Sequence, residues 1–124
     1  MNNFKLSENF NLKEFECTHA DHKHVRVDER LVEKLQKLRD DLGRPMVINS
    51  AYRCPKRNAQ VGGATNSQHL FGRAVDISLS NQYLTGDEIA ELAEDLGFTG
   101  IGLYKTFIHL DTRISPVVAR WDNR

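Results

Sequence analysis

Two stretches of this 124-residue chain carry side chains whose types and spacing suit a metal ion. In Ser67-Gln-His69-Leu-Phe-Gly72-Arg-Ala-Val-Asp76 a histidine precedes an aspartate by seven positions. In Phe107-Ile-His109-Leu-Asp111 strand alternation puts Phe107, His109 and Asp111 on one face and Ile108 and Leu110 on the other. Two histidines and one carboxylate make the ligand set of a catalytic zinc site, whose fourth position is left for water. Each residue also has a plainer reading. A single histidine is more often structural or simply exposed. An aspartate inside a strand is less ordinary, because Asp is depleted there and its desolvation needs a partner. Asp76, between Val75 and Ile77, and Asp111, after Leu110, both raise that demand. By spacing alone, a metal centre and a purely structural role stay equally open.

A few short elements must position these residues. Asn11, followed three residues later by Glu14, has the capping-box pattern and predicts a short helix. Residues 17–27 are polar and histidine-rich and read as a loop. The clearest helix runs from Asp28 to Leu42, where Asp28 caps the start and Leu31, Leu35, Leu38 and Leu42 form one apolar stripe. Gly43 stops it. Met46 to Ser50 reads as a strand. Residues 51–73 read as an ordered loop with one helical turn after Pro55, and a loop of that length in a small domain is usually functional. Ala74 to Leu79 predicts a strand with Val75, Ile77 and Leu79 on one face and Ala74, Asp76 and Ser78 on the other. Thr85 and Glu88 form a second capping box, opening a helix to Leu96. Thr99 to Tyr104 and Thr106 to Thr112 read as two antiparallel strands. This order predicts an α+β fold, a small antiparallel sheet with flanking helices and the metal site on the sheet face. The expected organisation is one domain, 1–124, with an N-terminal extension over 1–27, a core over 28–113 and a tail over 114–124.

The bulk composition narrows the function classes. Lys plus Arg and Asp plus Glu both number 17, so the formal net charge is zero. That speaks against nucleic acid as partner, which needs a basic surface. The N-terminus lacks the apolar run of a signal peptide, and no stretch approaches the length of a membrane span. The expectation is synthesis in the cytoplasm as a monomer. Cys17 and Cys54 are too few for a disulfide scaffold, and either stay free or form one pair. Cys17-Thr-His19-Ala-Asp-His22-Lys-His24 is a second candidate metal site, but its spacing matches no common structural zinc motif. The favoured reading there is a surface loop lining a cleft.

The motif Ser-x-His-x-x-Gly-x-Ala-x-Asp, followed later by a strand histidine, resembles the zinc D-Ala-D-Ala carboxypeptidase family, peptidase family M15, and most closely its short single-domain bacterial and phage members. The resemblance extends over Ile48-Asn-Ser-Ala-Tyr-Arg53, Asn58-Ala-Gln-Val-Gly-Gly63-Ala and Gly100-Ile-Gly-Leu-Tyr104. It implies an α+β fold in which His69, Asp76 and His109 bind one Zn2+ ion. It also implies that Arg53 lies near the substrate carboxylate or carbonyl and that Ser67 assists substrate binding. A peptide ending in carboxylate suits the planar fork of an arginine. Gly62, Gly63 and Gly72 are expected where the backbone turns sharply beneath the site.

One departure matters. Several members of that family carry Glu or Asp three residues before the last histidine, as general base; here that residue is Thr106. Asp111, two after His109, is the remaining carboxylate on the same face and the expected base. Its alternatives are to orient a ligand histidine or to pair with Arg113. The activity implied is zinc-dependent hydrolysis of D-amino-acid-containing peptide bonds in peptidoglycan stem or cross-link peptides, as carboxypeptidase or endopeptidase, acting on the wall after phage-type release. The alternative is a non-catalytic, zinc-containing module that binds such peptides.

Overall fold

The structure, a computed structural model, describes residues 4–18 and 24–124. The chain starts with a hairpin of β1 (Lys5–Ser7) and β2 (Phe10–Asn11). The predicted capping box follows: Asn11 Oδ1 accepts from Lys13 N, Glu14 Oε2 accepts from Asn11 N, and Leu12–Phe15 forms a single 3-10 turn. That turn buries Phe15 against the edge of Phe10.

Helix α1 (Glu29–Leu42) starts at Asp28, whose Oδ1 accepts from Arg30 N, and ends at Gly43 in the left-handed conformation. Leu31, Leu35 and Leu38 are fully buried, each stabilising the fold by about 1.5–3 kcal/mol relative to exposure. Next come β3 (Ile48–Ser50), α2 (Pro55–Gln60), a second 3-10 helix (Gln68–Phe71), β4 (Ala74–Ser78), α3 (Gly86–Asp95), β5 (Gly100–Leu103), β6 (Phe107–Asp111) and β7 (Ala119–Asp122). The 51–73 segment is thus the ordered loop expected, with two helical turns where one was foreseen. No helix among the described residues is long and apolar enough to cross a membrane.

The main sheet has the order β3-β4-β6-β5-β7. Its first four strands are antiparallel, as expected. The segment 114–124, expected as a tail, instead supplies the edge strand β7, which is parallel to β5. The geometry requires this: the chain reverses after β6 and passes the end of β5, so a strand on the far side of β5 runs in the β5 direction.

Cross-strand partners in a sheet share a face, so register decides what meets. One row across four strands reads Asp76, His109, Gly102, Trp121. The next reads Ala74, Asp111, Gly100, Ala119. The alternate residues, Val75, Ile77, Ile101, Leu103, Ile108 and Leu110, turn to the other face and form one core with α1 and α3. The sheet thus has an apolar face toward the helices and a face of ionisable and very small residues.

Candidate metal centre and its cleft

His69 lies in the second 3-10 helix, which Ser67 caps by accepting from His69 N at 3.2 Å. Gly72 ends that helix at φ 68°, and a Cβ there would overlap the Arg26 carbonyl, so glycine is required to turn the chain into β4. The His69 ring is buried, with Nδ1 2.6 Å from Ala51 O. A carbonyl only accepts, so Nδ1 carries the proton and Nε2 presents its lone pair. That Nε2 lies 3.2 Å from Asp76 Oδ1.

His109 repeats the arrangement from the sheet. Its Nε2 donates to Asp111 Oδ2 at 2.7 Å, which leaves the Nδ1 lone pair 3.0 Å from the same Asp76 Oδ1. Three acceptor atoms, two nitrogens and one oxygen, therefore converge within 4.8 Å of one another. Without a cation or an extra proton between them they repel. A tetrahedral zinc ion with bonds of about 2.0–2.2 Å needs ligand atoms about 3.3–3.5 Å apart, and the two separations to Asp76 Oδ1, 3.2 and 3.0 Å, lie close to this. The donor set, the spacing and the fixed tautomers all fit Zn2+.

The charges follow the same logic. Burial pushes the Asp76 carboxyl up, but His109 and His69, when they carry the extra proton and donate to it, outweigh this and hold the group well below the usual carboxylate range. Burial pulls His109 down, and its bonds to Asp111 and Asp76 more than reverse this, raising its affinity for positive charge. Asp111 is fully buried, yet Arg113 and His109 keep it ionised, again well below the usual range.

Asp111, expected as general base, lies behind His109. Its Oδ2 accepts from His109 Nε2 and Arg113 Nη2, both at 2.7 Å, and its Oδ1 accepts from Arg113 Nε and the Arg113 backbone N–H. Arg53 meets the centre from the opposite side. Its Nη2 donates to Asp76 Oδ2 at 3.3 Å, its Nε to Ser50 Oγ and its Nη1 to Asn58 Oδ1. The second oxygen of Asp76 is thus engaged by Arg53, and the first faces the two histidine rings.

The comparisons with known proteins agree with this geometry. The family model described as Peptidase M15 matches residues 8–111, and so covers every residue named in this centre except Arg113. The chain belongs to the peptidase M15 family. Over 69 residues it is 38% identical to the zinc D-Ala-D-Ala carboxypeptidase of Streptomyces albus G. That match takes in 55% of this chain and 26% of the relative.

In this M15 chain the centre opens into a cleft of about 550 Å³. Its lining includes the polar residues Arg53, Asn66, Ser67, Gln68 and Arg113 and the aromatic residues Tyr104, Phe107 and Trp121, with Arg53 following the edge strand β3 and Trp121 on the opposite edge strand β7. Thr106, three residues before His109, is exposed and lies outside the lining. Asp76 is the one carboxylate among the described lining residues.

Sequence reasoning gave no role to four contributors. Asn58 is buried, bonds Arg53 and donates to Ala64 O; a Cβ at Gly63 would overlap its side chain. Gly100 and Gly102 clear space for the Asp111 carboxylate and the Trp121 indole, where a Cβ would overlap each. Trp121 is the fourth; as the single tryptophan of the chain it was a visible signal, but its strand was taken for a tail.

Cys17 and Cys54 are both free and buried, with the Cys54 N–H donating to Cys17 Sγ. Within the second candidate metal site, His19 and His22 lie outside the described residues. The described Cys17 N–H donates to His24 O.

Proposed function

We propose that this chain is a zinc peptidase that hydrolyses D-amino-acid-containing peptide bonds of peptidoglycan, with His69, Asp76 and His109 as the zinc ligands. The observation that carries the reading is the convergence of three acceptors at the cleft, each ring turned by a partner on its far nitrogen. The name of the Streptomyces relative supports the substrate class. A zinc ion held there would polarise a peptide carbonyl and acidify a water molecule.

The residues divide the remaining work. Arg53 has three of its five N–H groups engaged, and offers the others to a substrate carboxylate or carbonyl. Ser67 stands at the cleft rim, where its hydroxyl caps the helix of His69 and lies within the lining. Asp111 keeps the His109 proton on Nε2, the orienting role of a carboxylate behind a metal-bound histidine.

One observation favours a second reading. Asp76 is the only described carboxylate in the cleft, and it is a ligand. A zinc-containing module that binds wall peptides without cutting them has the same centre. Incubating purified cell wall with the zinc-loaded protein separates the two: new free amino groups establish a peptidase, and retention on the wall without them establishes a binder. Mass spectrometry of released muropeptides then distinguishes carboxypeptidase from endopeptidase.

A further inference from the structure

Trp121 stands outside the matched family segment, yet the sheet delivers it to the metal centre. It occupies the same cross-strand row as Asp76 and His109, separated from His109 only by Gly102. Because Gly102 has no side chain, the indole lies over that position, where any Cβ would overlap it. Its ring centroid reaches 5.2 Å from that of His109, at 45°. Arg113, which clamps Asp111 behind His109, also lies over the indole at 5.2 Å.

The strand that carries Trp121 is fastened to the body of the fold. Arg120, on the opposite face, donates to Glu91 and Glu94 of α3, and the C-terminal Arg124 bridges Asp87 and Asp122. Together with the pairing of β7 to β5, these contacts place the indole as a wall of the cleft.

Its chemistry is equally constrained. Tryptophan has one hydrogen-bond donor, and here Nε1 gives it to Tyr104 Oη at 3.0 Å. What remains for a ligand is hydrocarbon and π surface. Tyr104 in turn stacks on Phe107, with centroids 4.4 Å apart and planes 7° from parallel. Tyr104, Phe107 and Trp121 thus give the cleft an aromatic patch, with the Arg113 guanidinium over the indole, while Arg53, Asn66, Ser67 and Gln68 give it a polar lining.

We propose that Trp121, backed by Tyr104, is a specificity-determining residue that packs against an aliphatic side chain beside the scissile carbonyl, the methyl group of an alanine being the smallest case. The proposal rests on the peptidase reading above and adds to it the direction in which the peptide lies: polar terminus toward Arg53, methyl toward Trp121. A methyl group accommodated in an apolar site discriminates against its absence by roughly tenfold or more.

Trp121 is the sole tryptophan, so its emission reports on its own surroundings. The probes are two N-acylated peptides of the zinc-loaded protein's expected substrate class, one ending in D-Ala-D-Ala and one in Gly-D-Ala, which lacks the methyl beside the scissile carbonyl. Titration with the first should shift Trp121 emission saturably, and the second should do so only at about tenfold higher concentration. Hydrolysis should show the same ratio in kcat/KM. Trp121→Leu should bring that ratio to within about twofold while zinc stays at about one per chain, and Trp121→Phe should retain most of it. Unchanged emission on saturating D-Ala-D-Ala peptide, or an unchanged ratio in Trp121→Leu, overturns the contact. If the wild type binds with the emission difference yet cuts neither peptide, the contact stands and the peptidase reading falls. If Trp121→Leu does not fold, the wild-type titration alone decides.

Discussion

The two histidines of the centre have the same job and are held by opposite means. His69 sits on the loop side, and its far nitrogen is fixed by a main-chain carbonyl, that of Ala51. His109 sits on the sheet, and its far nitrogen is fixed by a buried carboxylate that itself needs Arg113. The loop side is therefore secured by backbone, which no side-chain substitution removes. The sheet side is secured by a chain of charged side chains and by two glycines that give them room. Point mutations should damage the sheet side far more readily.

The largest expected effect is common to both sides. Zinc analysis should find about one ion per chain, the number for a three-ligand site. His69→Ala and His109→Ala should each abolish stoichiometric zinc while leaving the secondary structure largely in place. Full zinc in either variant would sink the ligand assignment. Chelation should also lower the Tm, because an ion that binds only the folded state at a thousand times its Kd stabilises it by about 4 kcal/mol.

Asp111→Asn comes next and breaks only the sheet side. The amide keeps the shape but forfeits the ionised acceptor shared by His109 and Arg113. Zinc should bind about 10–100-fold more weakly, as when a carboxylate behind a ligand histidine is lost. A general base predicts something else, a fall in kcat of roughly 10²–10⁴ with zinc affinity intact. Measuring zinc affinity and kcat on the same preparation decides between them.

The contrast also explains what could be read from the sequence. The three converging residues, the caps of α1 and α3 and the strands around them were legible because each is a local signal: a motif, a Leu stripe, an Asp where strands avoid it. The place of Asp111 was not, because a carboxylate beside the metal position and one behind the histidine both sit on the face of His109, and only the structure puts its Oδ2 on His109 Nε2. Trp121 was illegible for another reason. Ala119–Asp122 alternates half-buried and exposed residues, with charges at Arg120 and Asp122, and its pairing with β5 is contact at a distance in sequence. Likewise Gly100 and Gly102 are ordinary in a sequence, and gain meaning only when the register puts Asp111 and Trp121 opposite them.

Arg53→Lys tests the loop side through the side chain that meets Asp76. Lysine keeps the charge but cannot serve Ser50, Asn58 and Asp76 together. The expected loss in kcat/KM is about tenfold, equivalent to roughly 1.4 kcal/mol. Zinc content should persist, since Asp76 Oδ1 still faces both rings. Unchanged kinetics with a lower Tm would make Arg53 a purely structural residue.

The smallest effect should come from Ser67→Ala, which sharpens the comparison most. Ser67 touches His69 only through the backbone, its hydroxyl accepting from the His69 N–H. Removing a helix cap costs about 0.5–2 kcal/mol, and a four-residue 3-10 helix belongs at the low end. For a chain of this size that is a fall in Tm of a few degrees. The bond from His69 Nδ1 to Ala51 O survives, so the ring stays turned toward Asp76. Zinc affinity should therefore change by less than about threefold, against the 10–100-fold expected for Asp111→Asn. Any loss of activity beyond the change in stability would then belong to Ser67 as a cleft residue and show as a raised KM. If instead Ser67→Ala weakened zinc as much as Asp111→Asn, the main-chain carbonyl would not be enough to hold His69, and the two sides of the centre would be equally fragile.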